Sequence, residues 1–338
     1  MTKYSVLDLA PVVQGSNPTE ALHNSMDLIQ HAEKWGYNRY WVAEHHNMRG
    51  IASSATSVVI GYLAGGTSSI RVGAGGVMLP NHAPLVIAEH YGTLASLYPG
   101  RIDLGLGRAP GTDQVTMQAL RRTLTGDIDG FPRDVVELQH YLQEPQQGQR
   151  VVAVPGAGTD VPIWILGSSL FGAQLAAMLG LPYAFASHFA PKYMEPAIEH
   201  YREKFEPSEQ LDKSYVMLGF NICASETDEE AMYLRTSSLQ SFVNLRRGTP
   251  GQLPPPDENF QASLQPGEQQ MIDEIGRCSA VGNEETVRAR IKSFVEETGA
   301  DELMLVSSIF EHEKRLRSYE IVAGAVISSK TISSRTLV

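Results

Sequence analysis

Short apolar runs at strand spacing alternate with longer segments at helical spacing along almost the whole chain, and this restricts the fold more than any other feature. Strands are expected at residues 4–9, 39–43, 70–75, 102–106, 162–166, 183–186, 216–224 and 302–306. Helical spacing follows each of them. In the first helix Asn17 is the expected N-cap, Pro18 suits the first helical position, Glu20 closes a capping box and Gly36 is the stop. Leu22, Met26, Ile29 and Ala32 give that helix one apolar face. Eight such units in 338 residues predict an α/β fold, a (β/α)8 TIM barrel, with residues 1–338 as one domain. One stretch breaks the rhythm. Residues 248–269 are polar and include Pro254-Pro255-Pro256, which can enter neither a helix nor an inner strand. They predict an insertion over residues 248–280, after the seventh strand, with little apolar surface to offer the core.

Composition narrows the class. With 42% apolar and 19% charged residues the chain is an ordinary globular protein that can bury a sizeable core. A net charge of −11 gives nucleic-acid binding no electrostatic support. No run approaches the ~20 apolar residues of a membrane span, and MTKYSVLDLAPV lacks the apolar core and cleavage site of a signal peptide. Cys223 and Cys278 lie in no CxxC and cannot build a disulfide framework. A cytoplasmic location is expected, with neither nucleic acid nor membrane as partner.

In a parallel barrel the chemistry belongs at the carboxyl ends of the strands. The second strand ends in Glu44-His45-His46. Neighbours on extended chain point to opposite sides, so at most one of the histidines faces the barrel mouth squarely. That one is a neutral imidazole near pH 7, able to hold or pass a proton, or else a ring that merely caps the strand. A metal is not expected, since consecutive histidines rarely converge on one ion and no HExxH or Cys/His cluster supplies further ligands. The third strand ends at Gly73-Ala74-Gly75-Gly76, which implies close approach of a ligand, an unusual backbone shape, or a bulge.

On the fourth strand Ile102, Leu104 and Leu106 share one face, to pack under helices, while Asp103, Gly105 and Gly107 share the other and keep volume free. Arg108 follows, as a fixed cation or as half of an ion pair. Residues 105–111, GLGRAPG, are not a Rossmann phosphate turn. The third glycine is displaced to Gly111, Pro110 stands in its place, and no acidic-ended strand follows at ~20 residues. The fifth strand ends at Gly167-Ser168-Ser169, just before a helix. Free amides and a serine hydroxyl at a helix start suit a phosphate, although a serine there can also be a purely structural cap. Arg108, on the neighbouring strand end, adds weight to the phosphate reading.

These motifs resemble the bacterial luciferase-like family of flavin-dependent monooxygenases. The resemblance runs through WVAEHHNMRGIASSATSV, VGAGGVMLPNHAPLVIAEHYGTLASLYPGRIDLGLGRAPGTD, WILGSSLFGAQLAAMLGLPYAFASHF and VGNEETVRARIKSFVEETGADELML, and is greatest to the family's uncharacterised bacterial oxidoreductases. It implies a TIM barrel that binds reduced FMN at the strand ends, with the insertion after strand seven as a mobile lid. Motif for motif, it puts His45 at the catalytic histidine near the reactive edge of the flavin, and Gly75-Gly76 at a non-proline cis peptide beneath the ring. It puts Arg108, Ser169 and the amides of Ser168 and Ser169 at the phosphate, and Glu89 on a dimer-interface helix. Gly107 and Ser187 depart from light-emitting members, which carry a cysteine and a tryptophan at or near those positions, so light emission and a long-chain aldehyde substrate are in doubt. The implied activity is a two-component monooxygenase: reduced FMN from a separate NAD(P)H:flavin reductase, O2, an unidentified small organic substrate, and a homodimer. The alternatives are deazaflavin-dependent hydride transfer on the same barrel and flavin binding without catalysis.

Overall fold

The structure, a computed structural model, describes residues 2–109, 114–120 and 130–327. Its first half runs β1 (Lys3–Asp8), α1 (Pro18–Trp35), β2 (Arg39–Val42), α2 (Thr56–Gly65), β3 (Arg71–Met78), α3 (Pro84–Leu97), β4 (Ile102–Gly107), α4 (Gln114–Leu120) and α5 (Phe131–Leu142). It continues with β5 (Ile163–Gly167), α6 (Leu170–Met178), β6 (Tyr183–Phe185), α7 (Met194–Lys204), β7 (Val216–Ala224) and α8 (Asp228–Arg246). Last come α9 (Glu268–Gly276), β8 (Ser279–Gly282), α10 (Glu284–Thr298), β9 (Glu302–Val306) and α11 (His312–Val326). Asn17, the cap the sequence implies, accepts from the Glu20 amide; Thr227 likewise accepts from Glu230, and Asn283 from Glu285 and Thr286.

Strands β1 to β7 pair in order, β7 pairs with β9, and β9 with β1, all in parallel, which closes an eight-stranded barrel. The eight expected strands are its staves, and the fold is a (β/α)8 barrel. β8 was missed in the sequence. Residues 279–282 pair with residues 221–224, the far end of the long β7, outside the ring. Four residues reading SAVG carry too little alternation to announce a strand.

Side chains alternate cleanly across the wall. Tyr40, Val42, Val72, Leu104, Leu106 and Leu218 join the main core under the helices, while Leu7, Trp41, Trp164, Met217 and Met304 form a second core inside the barrel. The expected split of β4 therefore holds. The expected free volume beside its glycines does not. A Cβ on Gly105 would lie 2.3 Å from the Ala74 carbonyl oxygen and 2.7 Å from Leu166 Cδ1. Glycine there lets β3 and β4 close up at the bulge between Ala74 and Val77. At the amino ends of the strands Arg39 bonds Asp103 at 2.7 Å and Glu302 at 2.9 Å, Arg71 grips Asp103, and Tyr215 bonds Glu302. This buried network plugs the foot of the barrel, and the carboxyl ends of the strands lie at the opposite end.

The insertion is better anchored than its composition implies. Leu253 is buried and paired in β fashion with the loop after β1: its N–H donates to Val12 O, and Gln14 N–H donates to its carbonyl. Phe260, Ile272 and Ile275 pack against Leu239 and Val243 of α8 as a satellite core. Two apolar side chains within a proline-rich stretch correct the expectation of a segment with little to bury. No helix among the described residues is long and apolar enough to cross a membrane.

Candidate functional site

The residues singled out in the sequence stand at consecutive strand ends. Past β2 the chain divides its two histidines. Glu44, almost fully buried, accepts hydrogen bonds from His46 Nε2 at 2.9 Å and His82 Nε2 at 2.8 Å, and from the Met78 amide at 3.2 Å. Burial alone would raise the Glu44 pKa, but His82, His46 and the amide outweigh it and hold the carboxyl below its ordinary range. Arg39 and Trp41 face the barrel interior, and Glu44 and His45 follow two and three residues past the end of β2. The His45 carbonyl accepts from Ser54 Oγ at 2.7 Å, which pins its backbone.

The donor atoms of Glu44, His46 and His82 lie within 4.8 Å of one another, a group that could hold a divalent ion. The sequence reading found no partner ligands because His82 comes from the turn after β3, far along the chain. Both imidazoles lie at hydrogen-bond distance from the same carboxylate oxygen, so the cluster is already satisfied internally.

β3 runs on past the expected end at Gly75, and within it the Gly75-Gly76 peptide is cis. The bulge and the unusual backbone shape, two readings of this glycine run, are therefore both present.

Beyond β4 the guanidinium of Arg108 stacks 3.9 Å from the ring centroid of Phe171, the second residue of α6. Ser169 is the N-cap of α6, yet its hydroxyl makes no capping bond, and its carbonyl accepts from Tyr183 Oη. The first amides of α6 thus have no side-chain cap, and a cation sits against the same turn. Amides, two serine hydroxyls and a guanidinium form a donor set suited to a phosphate. Pro110 and Gly111 lie outside the described residues.

Sequence reasoning missed His188, after β6. Its ring lies against Gly219 of β7, and its Nδ1 is sealed from solvent with no hydrogen-bond partner among the described residues. Burial, with His45 acting in the same direction, pushes its pKa down to about 4. The motif YAFASHF displays the residue, but its meaning depends on a glycine in another strand.

A family profile described as luciferase-like monooxygenase matches residues 2–302. A protein of Escherichia coli K12 named luciferase-like monooxygenase is 55% identical over 318 residues, 94% of this chain and 95% of that one. The uncharacterised protein YvbT of Bacillus subtilis is 55% identical over 323 residues, covering 95% and 96% of the two chains. Among solved structures, that of apo-MsnO8 superposes with a TM-score of 0.89 at 35% identity, over 96% of this chain and 98% of that one. With barrel, strand-end constellation and whole-length similarity in agreement, the chain belongs to the luciferase-like monooxygenase family of flavin-dependent oxidoreductases.

Proposed function

We propose that this protein is an FMN-dependent monooxygenase that receives reduced FMN from a separate NAD(P)H:flavin reductase and uses O2 to oxidise a small organic substrate. The observation that carries the reading is the meeting of Arg108 with the uncapped start of α6, at strand ends adjoining those of His45 and Gly75-Gly76. Bound FMN supplies the redox chemistry. The chain's part is to hold, orient and shield it. Arg108, the Ser168 and Ser169 amides and the Ser169 hydroxyl take the phosphate, and the Gly75-Gly76 peptide lies beneath the ring. His45 holds or passes a proton at the reacting edge. Within the single domain the insertion over residues 248–280 is the lid that excludes water. We read the protein as a cytoplasmic homodimer. Val58 and Tyr62 on α2 and Val86 and Leu97 on α3 are exposed apolar residues on adjoining helices, and Glu89 lies on α3.

The test is oxidation of a metabolite extract by purified protein with FMN, a flavin reductase and NADH, followed by oxygen uptake and mass spectrometry. A product gaining one oxygen atom from labelled O2 is expected. Turnover with reduced deazaflavin in the absence of oxygen, and none with FMN, would overturn the reading.

A further inference from the structure

We propose that His188 is a second histidine of this site, a neutral ring whose Nε2–H donates a hydrogen bond to an acceptor atom of the bound flavin ring system. The identity of the ligand rests on the function proposed above; the donor itself rests on local geometry.

Met217 lies in the core inside the barrel, so alternation along β7 puts Gly219 and Asn221 on the same inner face. A Cβ on Gly219 would fall 2.0 Å from His188 Nδ1 and 3.0 Å from its Cγ and Cε1. The imidazole therefore occupies the place of a residue-219 side chain, on the inner wall one step toward the mouth from Met217. Its backbone is tied on both sides. Buried Ser187 donates from Oγ to the Gly219 carbonyl at 2.6 Å, and Asn221 Nδ2 donates to the His188 carbonyl at 2.7 Å.

The sealed Nδ1 decides the tautomer. A proton there would be a buried, unpaired N–H, which folded proteins avoid more strictly than an unpaired acceptor. The proton consequently resides on Nε2. The ring as a whole is half-buried, and Nε2 is not among the sealed atoms. The cation is disfavoured too, since it would carry a proton on both nitrogens. A phenyl ring would fill the same slot with no buried nitrogen unpaired, so packing alone does not account for a histidine. The site of Arg108 and α6 serves an anion at β4 and β5. His188, between β6 and β7, stands across the ring of strands from β2, the strand that His45 follows. A fixed neutral donor there matches a carbonyl oxygen on the edge of a flat heterocycle lying over the mouth.

The experiment is anaerobic fluorescence titration of wild type, His188→Phe and His188→Asn with reduced FMN and with reduced riboflavin, across pH 5.5–8.5, with circular dichroism as the control for folding. His188→Phe keeps the ring and removes the donor. It should weaken both ligands alike, on the order of tenfold, the size of one lost hydrogen bond. His188→Asn, which retains an N–H, should recover part of the loss. The wild-type to His188→Phe ratio should stay flat with pH, because the ring is neutral above about pH 4. Equal binding by wild type and a folded His188→Phe would overturn the donor, as would a ratio that collapses as pH rises through 6–7. Wild type that binds neither flavin would instead overturn the proposed function.

Discussion

His45 and His46 are adjacent in sequence and separated in role by strand geometry. His46 is bonded to Glu44, which also holds His82 from the turn after β3, whereas His45 is the residue proposed to face the flavin. His45→Ala should leave reduced-FMN affinity nearly unchanged and slow oxidation by ~10²-fold or more, as losing a positioned acid–base group does; His46→Ala should do less. Single-turnover rates check this, and equal rates for wild type and His45→Ala would remove the role. Arg108 separates from both by its ligand chemistry. Its guanidinium lies on Phe171 at the start of α6, so Arg108→Ala should weaken FMN by roughly ten- to a hundred-fold, the value of a charge-assisted contact. Riboflavin, which lacks the phosphate, should bind as before. Parallel loss of both ligands in a titration would make Arg108 structural.

At the scale of elements, what could be read from the sequence was what local rules govern. The strand and helix alternation, the cap Asn17 and the two faces of β4 all follow from period and side-chain chemistry. What could not be read depends on contacts distant in sequence: β8 leaning on the end of β7, Leu253 joining the β1 loop, and His188 filling the space beside Gly219. The free volume assigned to Gly105 failed for the same reason, because a neighbouring strand fills it. The anchoring of the insertion changes how its shielding is to be tested. Removing residues 251–261 would also remove Leu253 and Phe260, both buried, so a deletion would confound shielding with folding. Phe260→Ala is the cleaner probe. It takes a ring out of the satellite core formed with α8 and leaves intact both the main core under the helices and the core inside the barrel. Expected are faster protease cleavage within the insertion and more hydrogen peroxide per reduced FMN consumed, with little change in the melting of the barrel. An unchanged peroxide ratio despite faster cleavage would mean that the insertion does not shield the flavin.

A closed barrel must join its last element to its first, and here the seam is electrostatic. Asp8, fully buried at the end of β1, accepts from Arg315 of α11 at 2.7 Å, from Ser25 of α1, from Tyr40 of β2 and from the Ala10 amide. Arg315 in turn donates to the Ser307 carbonyl just past β9. One carboxylate thus ties the outer helices at both ends of the described chain to neighbouring strands of the ring. Burial alone would raise the Asp8 pKa, yet the charge of Arg315 and the bonds from Ser25, Tyr40 and Arg315 outweigh it, and the net shift is downward. A carboxyl whose pKa is lower folded than unfolded stabilises the fold above its unfolded value, 3.8, and loses that contribution as pH falls toward its folded value. Asp8→Asn should therefore destabilise the protein at pH 7 by about 3–5 kcal/mol, because it strands the buried Arg315 charge. It should also flatten the acid limb of the stability curve below pH 4, where wild type still has this carboxylate to titrate. Asp8→Asn combined with Arg315→Leu should recover much of the loss, since no unpaired charge then remains inside. Urea unfolding of wild type and the two variants from pH 3 to 7 decides the matter. Equal stability of wild type and Asp8→Asn across that range would show that the seam is held by packing alone.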